Sequence, residues 1–396
     1  MVLHERTRDE LRETLGDDFA RVHFVRDTGL DRMLHRVSSW LPTRVGENTF
    51  GFVLQATTQL RQRRLLLELV RRKGVNVVHE PSPVSPKRPS LVFGLGVPVV
   101  VGPMNGGMSY PRTFAHLERR GEGVFVAWAR RATRLMNRVL PGKQRATVLL
   151  VANQRTRRAL PVHDRGQVVE LVENAVDLAV FAGSGEHQQR VENATTRLVF
   201  SGRLVAWKGL PLLLEALARL ERSDVELRIL GDGEQRQELE ALVARLGLSE
   251  RVAFLGFLPQ RRCAEELGQA DVLVLPSVYE CGGAVVLEAM AMGLPVIAHR
   301  WGGPADYLDE QCGILLDPEL PLDQLIDAWA AAIRSLVEVP ERRAALGRVG
   351  REKVRREFTW PSKIEQISAI YARARAEWAA GANGAAARSE RLQPVE

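Results

Sequence analysis

Cysteine is scarce in this chain of 396 residues: there are three, Cys263, Cys281 and Cys312. Their odd number, their confinement to the second half and the lack of any CxxC spacing speak against a disulfide framework and against a zinc site, and suit a reducing cytoplasm. No uncharged apolar run approaches the ~20 residues needed to cross a bilayer, and no basic segment followed by an apolar core opens the chain. The expectation is a soluble or peripherally bound protein that carries no metal. Zinc-finger spacing and RNP-like aromatic motifs are also missing, which argues against a nucleic-acid partner despite the net charge of +7.

That charge is unevenly placed. Residues 1–180 hold 29 Lys and Arg against 17 Asp and Glu, whereas residues 181–396 hold 26 against 31. A basic first half suits an anionic substrate or an anionic membrane surface. The hydrophobic content of 45% is enough for two cores of ordinary size. Short β-branched runs alternate with amphipathic stretches, the pattern of parallel sheets crossed by helices.

In the first half this predicts strands at 22–25, 75–79, 98–102, 147–151 and 168–172, and helices at 59–73, 124–140 and 153–160. In the second half it predicts strands at 198–201, 226–230, 252–254, 272–275, 295–298 and 313–315. A Gly/Ser/Gln/Glu-rich stretch at 181–196 reads as a linker between domains 1–180 and 197–357, with a cleft at that hinge. A terminal helix follows at 358–380, and composition marks 381–396 as a disordered tail. A doubly wound domain usually opens with an apolar strand; here a charged helical stretch, Glu5–Leu15, comes first, so that strand is expected to be missing. A start-site artefact and a lost element are both compatible with this.

The densest chemical signal is the run from Pro276 to Gly293. Gly282 and Gly283 permit a tight turn between a buried strand and a helix, and the free amides of Ala284 through Val286 then face outward at the helix N-terminus, where the dipole favours a phosphate. Glu280 before the turn and Glu288 after it can line one pocket as acceptors for sugar and ribose hydroxyls. Each alone is also readable as a solvated loop acid or a surface pair, but Glu288 lies among apolar neighbours and a carboxylate there needs partners. Upstream, Gly202 and Arg203 end one strand and Lys208 precedes the next helix, so that a guanidinium and an ammonium reach the carboxyl edge of the sheet, ready to clamp a diphosphate. Gly231 and Gly233 form a further strand-to-helix turn.

Taken together, Gly202-Arg203-Leu204 with Lys208-Gly209, the pair Glu280 and Glu288 seven residues apart, and Trp301-Gly302-Gly303-Pro304 resemble the retaining family 4 (group 1) glycosyltransferases of GT-B fold. The resemblance covers most of 197–310 and extends weakly to 358–375. It implies two Rossmann-like doubly wound α/β domains facing across a cleft, with the C-terminal helix crossing back to the first. It also implies metal-independent transfer from a UDP- or GDP-sugar without a further cofactor. Arg203 and Lys208 would hold the diphosphate, Glu280 the transferred sugar and Glu288 the ribose. Cys281 stands where the family more often has glycine.

On the acceptor side the family often presents a histidine after the strand at 98–101, and here the sequence reads Gly102-Pro103-Met104-Asn105-Gly106-Gly107. Asn105 and the amides of Gly106 and Gly107 can bind an acceptor, but they supply no base near neutral pH. His79 is the other acceptor-side candidate, or else a strand-end histidine bonded to backbone. The stretch 124–140 mixes Phe125, Trp128, Leu135 and Met136 with four arginines, which suits a membrane-surface helix or a packed helix with a solvated face. The functional expectation is hexose transfer to a saccharide or lipid-linked acceptor. A donor-binding module without turnover, or a nucleotide-sugar epimerase or hydrolase of the same fold, is the alternative.

Overall fold

The computed structural model describes residues 1–39, 50–82, 84–118, 135–161, 166–181 and 195–390. The chain divides into two compact units. The first comprises Met1–Gly106, Ala127–Leu171 and Ser368–Glu396; the second comprises Gly107–Val126 and Val172–Ile367. The division is therefore not a single cut near residue 180: the stretch from Gly107 counts with the second unit, the chain enters that unit again at Val172, and it returns to the first at Ser368. Most of the expected linker, 182–194, and residues 124–134 of the basic helix lie outside the described residues.

The second unit is built on six parallel strands, β7 (Thr196–Ser201), β8 (Val225–Leu230), β9 (Val252–Gly256), β10 (Val272–Leu275), β11 (Val296–His299) and β12 (Gly313–Leu316), in the order β12-β11-β10-β7-β8-β9. All six expected strands are present within a residue or two. Val272-Leu273-Val274-Leu275 is buried throughout, as a strand covered on both faces requires. Leu210, Leu213, Leu214 and Leu217 recur at helical spacing on the helix Leu210–Arg219 and are all buried. Each such leucine contributes ~1.5–3 kcal/mol by leaving water. On the helix Leu322–Val337, Trp329 is buried against β11, where its Nε1–H donates to His299 Nε2 at 2.9 Å. The order reverses at β7: from it the chain runs outward to β8 and β9, then returns to the other side for β10. Open α/β sheets bind ligands outside the carboxyl ends of strands at such a switch point.

The first unit carries a parallel sheet β3-β4-β5-β6, formed by Val78–Glu80, Val99–Met104, Val148–Val151 and Gln167–Glu170. Beside it is a separate two-stranded sheet, in which β1 (Val2–His4) pairs in parallel with β2 (His23–Val25). The expected absence of a first strand is thus corrected: three half-buried residues ahead of Glu5 form one, a run too short to show any periodicity. The helix expected from Gln59 begins at Phe50 and packs Leu66, Leu67 and Val70 on the sheet core. The terminal helix runs from Trp360 to Glu390, through ten residues that composition reads as tail. Alanine is the strongest helix former, and the Ala-rich sequence there outweighs its two glycines. No described helix is long and apolar enough to cross a membrane.

Candidate active site

At the switch point the loops after adjacent strands touch through their backbones. A Cβ on Gly231, after β8, would stand 1.9 Å from the carbonyl oxygen of Gly202, after β7; one on Gly303, after β11, would stand 1.9 Å from that of Gly282, after β10. Only glycine permits either approach. The turn at Lys208-Gly209 is tied to the β10 loop by Val278 N–H donating to Trp207 O at 2.9 Å. The four loops consequently form one interlocked layer along the carboxyl edge of the sheet.

This layer brings Lys208 and Glu280, 72 residues apart in sequence, into an ion pair, each side chain 15% exposed. The Lys208 ammonium also lies 3.5 Å from where a Cβ on Gly202 would be, and the Glu280 side chain lies 3.1 Å from the corresponding position on Gly283. Gly202, Lys208, Glu280 and Gly283 therefore share one locus. Arg203 stands at the same strand end with its side chain exposed and without a hydrogen bond or ion pair among the described residues. Gly233 belongs to the neighbouring turn, against Leu204.

Gly283 adopts a left-handed conformation (φ 75°) and starts the helix Ala284–Ala291. Of the three amides expected to be free, Val286 N–H is taken by Gly283 O, and those of Ala284 and Val285 have no backbone partner among the described residues. Glu288 is half-buried on this helix, and burial pushes its carboxyl above the usual range. No described side chain bonds it, although its charge is felt by the Cys263 thiol. A carboxylate desolvated without a partner is poised to gain one.

Several residues at this site were beyond motif reading. Glu173 and Asn174 crowd the face of Gly282, where a Cβ would meet the Asn174 amide at 2.6 Å and Glu173 Oε1 at 2.7 Å. Asn174 Nδ2 donates to the buried Tyr307 hydroxyl at 2.9 Å. Under the sheet edge, His299 is fully buried; its Nδ1–H donates to Ser277 O at 3.2 Å and its Nε2 accepts from Trp329. Burial brings its pKa down to about 4, so the ring is neutral. None of these lies in a recurrent pattern; a lone histidine at a strand end was the only available signal.

In the first unit, both ring nitrogens of His79 are engaged. Nε2–H donates to Gly102 O, so Nδ1 accepts from the Tyr371 hydroxyl at 2.7 Å. Burial lowers its pKa. The backbone-bonded alternative thus describes its geometry. Gly106 is held by Thr156, whose hydroxyl receives the Gly106 N–H at 3.0 Å and lies 2.9 Å from Asn153 Oδ1, 3.1 Å from Gly106 O and 3.4 Å from Asn105 Oδ1. Gly107 counts with the second unit. Next to His79, Glu80 is buried and accepts from Gln59 Nε2 at 2.9 Å and from Ser90 Oγ at 2.5 Å. Lys143, also buried, donates to Ser85 O at 3.0 Å and Pro86 O at 2.8 Å. Burial pushes the Glu80 carboxyl up and the Lys143 ammonium down. A cavity of about 1220 Å³ is lined from both β1 and β3, by Leu3, Leu54, Leu66, Val77, His79 and Glu80 among others. His4, Asp27 and Asp31 cluster nearby, but Asp31 is already held by Arg61 at 2.7 Å and by Thr28, and Asp27 by Arg6.

Residues 179–353 match the family described as "Glycosyl transferases group 1". Curated relatives include the D-inositol 3-phosphate glycosyltransferase of Segniliparus rotundus, 32% identical over 216 residues that make up 52% of this chain and 47% of the relative. The enzyme of that name from Corynebacterium kroppenstedtii is 37% identical over 186 residues, 44% of this chain and 40% of the relative. The chain thus spans about half the length of the curated relatives it matches. Among solved structures, Anabaena Alr3699/HepE in complex with UDP superposes with a TM-score of 0.62 at 18% identity, covering 92% of this chain and 89% of that one.

Proposed function

Because residues 179–353 match the group 1 glycosyltransferases and the chain is similar in fold to a solved structure holding UDP, we propose that it moves a hexose from a nucleotide diphosphate sugar to a saccharide or lipid-linked acceptor, with retention and without a metal. The observation that carries this reading is the Lys208–Glu280 pair set among glycine loops at the switch point, with Glu288 desolvated and unbonded one helical turn further on. Arg203 and Lys208 take the charge that develops on the leaving diphosphate, assisted by the amides of Ala284 and Val285. Glu280 accepts hydroxyls of the transferred sugar and Glu288 those of the ribose. The departing phosphate accepts the proton of the incoming hydroxyl on the face it leaves, so His79, already committed to Gly102 and Tyr371, is not required as a base.

The UDP of the solved relative makes uridine nucleotides the first donors to try, the mannosyltransferase among the curated relatives adds mannosyl donors, and the inositol 3-phosphate named for others makes phosphorylated polyols the first acceptors. A lipid-linked acceptor in surface polysaccharide or glycolipid synthesis would bring the enzyme to the cytoplasmic face of a membrane. Exposed Leu135, Arg138 and Val139, at the described end of the basic helix, support that placement. Flotation with anionic vesicles tests it: loss on Leu135→Asp is expected, and equal recovery with neutral vesicles would sink it.

The principal experiment is nucleotide release from UDP- and GDP-sugars in EDTA, with wild type, Arg203→Ala, Lys208→Ala and Glu280→Ala. Release by wild type that all three changes abolish is expected. Nucleotide binding without release from any donor would instead mark a donor-binding module, and release independent of acceptor would mark a hydrolase.

A further inference from the structure

Residues 107–118 come before β5 and β6 in sequence, yet they fold as part of the second unit. Phe114 is buried in that unit's core. Arg112 N–H donates to Glu319 Oε1 at 3.1 Å, and Thr113 Oγ1 lies 3.2 Å from Glu319 O and 3.1 Å from Leu320 O. Between this anchor and Gly107, three consecutive residues reach the loops that hold Glu280. The Tyr110 ring lies against Tyr279 with centroids 4.8 Å apart. Ser109 O accepts from Trp301 Nε1 at 2.9 Å. Met108 Cε fills the space beside Gly302, 2.7 Å from where a Cβ would stand.

Both braced loops bear on Glu280. Tyr279 is its chain neighbour. Gly302 is packed so closely that a Cβ there would stand 2.1 Å from Glu280 O, and Gly303 N–H donates to that same oxygen at 2.7 Å. Glu280 itself lies outside any strand or helix, so its backbone has no ladder to fix it. We propose that Met108, Ser109 and Tyr110, with Trp301, form a clasp that positions the Glu280 carboxylate. Met108, Tyr110 and Trp301 are positioning residues and not catalytic ones. The proposal rests on the donor-site reading above and goes beyond it by assigning a segment outside every donor motif to the donor side. A carboxylate displaced by ~1 Å from its working geometry can lose up to ~100-fold in rate while the remaining contacts stay intact.

The test combines steady-state kinetics with UDP-glucose, or the donor identified above, calorimetric binding of UDP alone, and hydrogen exchange at residues 279–283. Tyr110→Ala should lower kcat by about tenfold to a hundredfold, leave the Kd for UDP within about twofold and speed exchange across 279–283. Tyr110→Phe, which keeps the ring pair, should restore most of the rate. Trp301→Phe, which loses the N–H to Ser109 and one of the two fused rings, should fall between the two. A Tyr110→Ala enzyme with wild-type kcat overturns the clasp, and so does a loss of UDP binding in step with rate, which marks a merely structural contact. If wild type releases nucleotide from no donor, the donor reading fails while the exchange data still decide: faster exchange in Tyr110→Ala upholds the clasp, and unchanged exchange rejects it.

Discussion

The two units handle buried charge differently. In the second, Lys208 and Glu280 face each other at the carboxyl edge of the sheet with part of each side chain still exposed, and the loops around them are interlocked by glycine backbones. In the first, Glu80 and Lys143 are almost wholly buried and tie down the segment 85–90 through Ser85, Pro86 and Ser90. Partial exposure leaves a pair free to exchange partners with a ligand at modest cost. Full burial makes Glu80 and Lys143 fixtures, because each is held by buried partners of its own whose loss would leave a polar group unsatisfied. On the proposed reading, chemistry falls to Lys208 and Glu280 and architecture to Glu80 and Lys143.

The sharpest way to break this comparison is to remove one charge from each pair. Glu80→Ala should destabilise the first unit by about 1–3 kcal/mol, since the buried Gln59 amide and Ser90 hydroxyl lose their acceptor. Denaturant unfolding followed by hydrogen exchange in β3 to β6 measures it. Lys208→Ala should do the opposite, leaving stability within about 1 kcal/mol while lowering nucleotide release by a hundredfold to a thousandfold. Comparable unfolding losses in the two variants would erase the distinction between fixture and site.

A further difference is in pH. His299 has a folded pKa of about 4 against 6.5 in the unfolded chain, because burial disfavours the charged ring. A depressed histidine pKa means that the unfolded chain takes up the proton first. The contribution is therefore complete above pH 6.5, is lost as pH falls from 6.5 towards 4, and amounts to about 3 kcal/mol at the end of that window. His299→Gln should flatten that slope in the second unit. An unchanged slope would place the titrating group elsewhere.

These contrasts also mark what the sequence could disclose. The strands of the second unit are continuous apolar runs, and the loops after them join glycines to charged residues in a fixed order, so the fold and the candidate site could be read from Gly202 to Glu288. The first unit gave its larger strands but not β1, whose three residues are too few to carry a period. Its acceptor candidates were harder to judge. His79 looks the same in sequence whether it is free or bonded to Gly102 and Tyr371, and its contact with Tyr371 spans 292 positions. The placement of residues 107–118 was illegible for the same reason: Tyr110 and Tyr279 meet by tertiary folding, and no local spacing announces it.

The smallest expected effect tests how far the donor loops are braced from below. Asn174 Nδ2 donates to the Tyr307 hydroxyl, and Asn174 lies against Gly282. Tyr307 is buried, and burial raises its pKa, so the hydroxyl stays protonated at neutral pH and Asn174 is one of the few partners able to satisfy it. Tyr307→Phe removes that bond while keeping the ring against Phe358. It should cost about 1 kcal/mol in unfolding free energy, the net worth of a single neutral hydrogen bond, and change nucleotide affinity by no more than about threefold. A larger loss of affinity than of stability would show that Asn174 contributes to the donor turn itself, and would move the boundary of the site from the glycine loops down into the chain that follows β6.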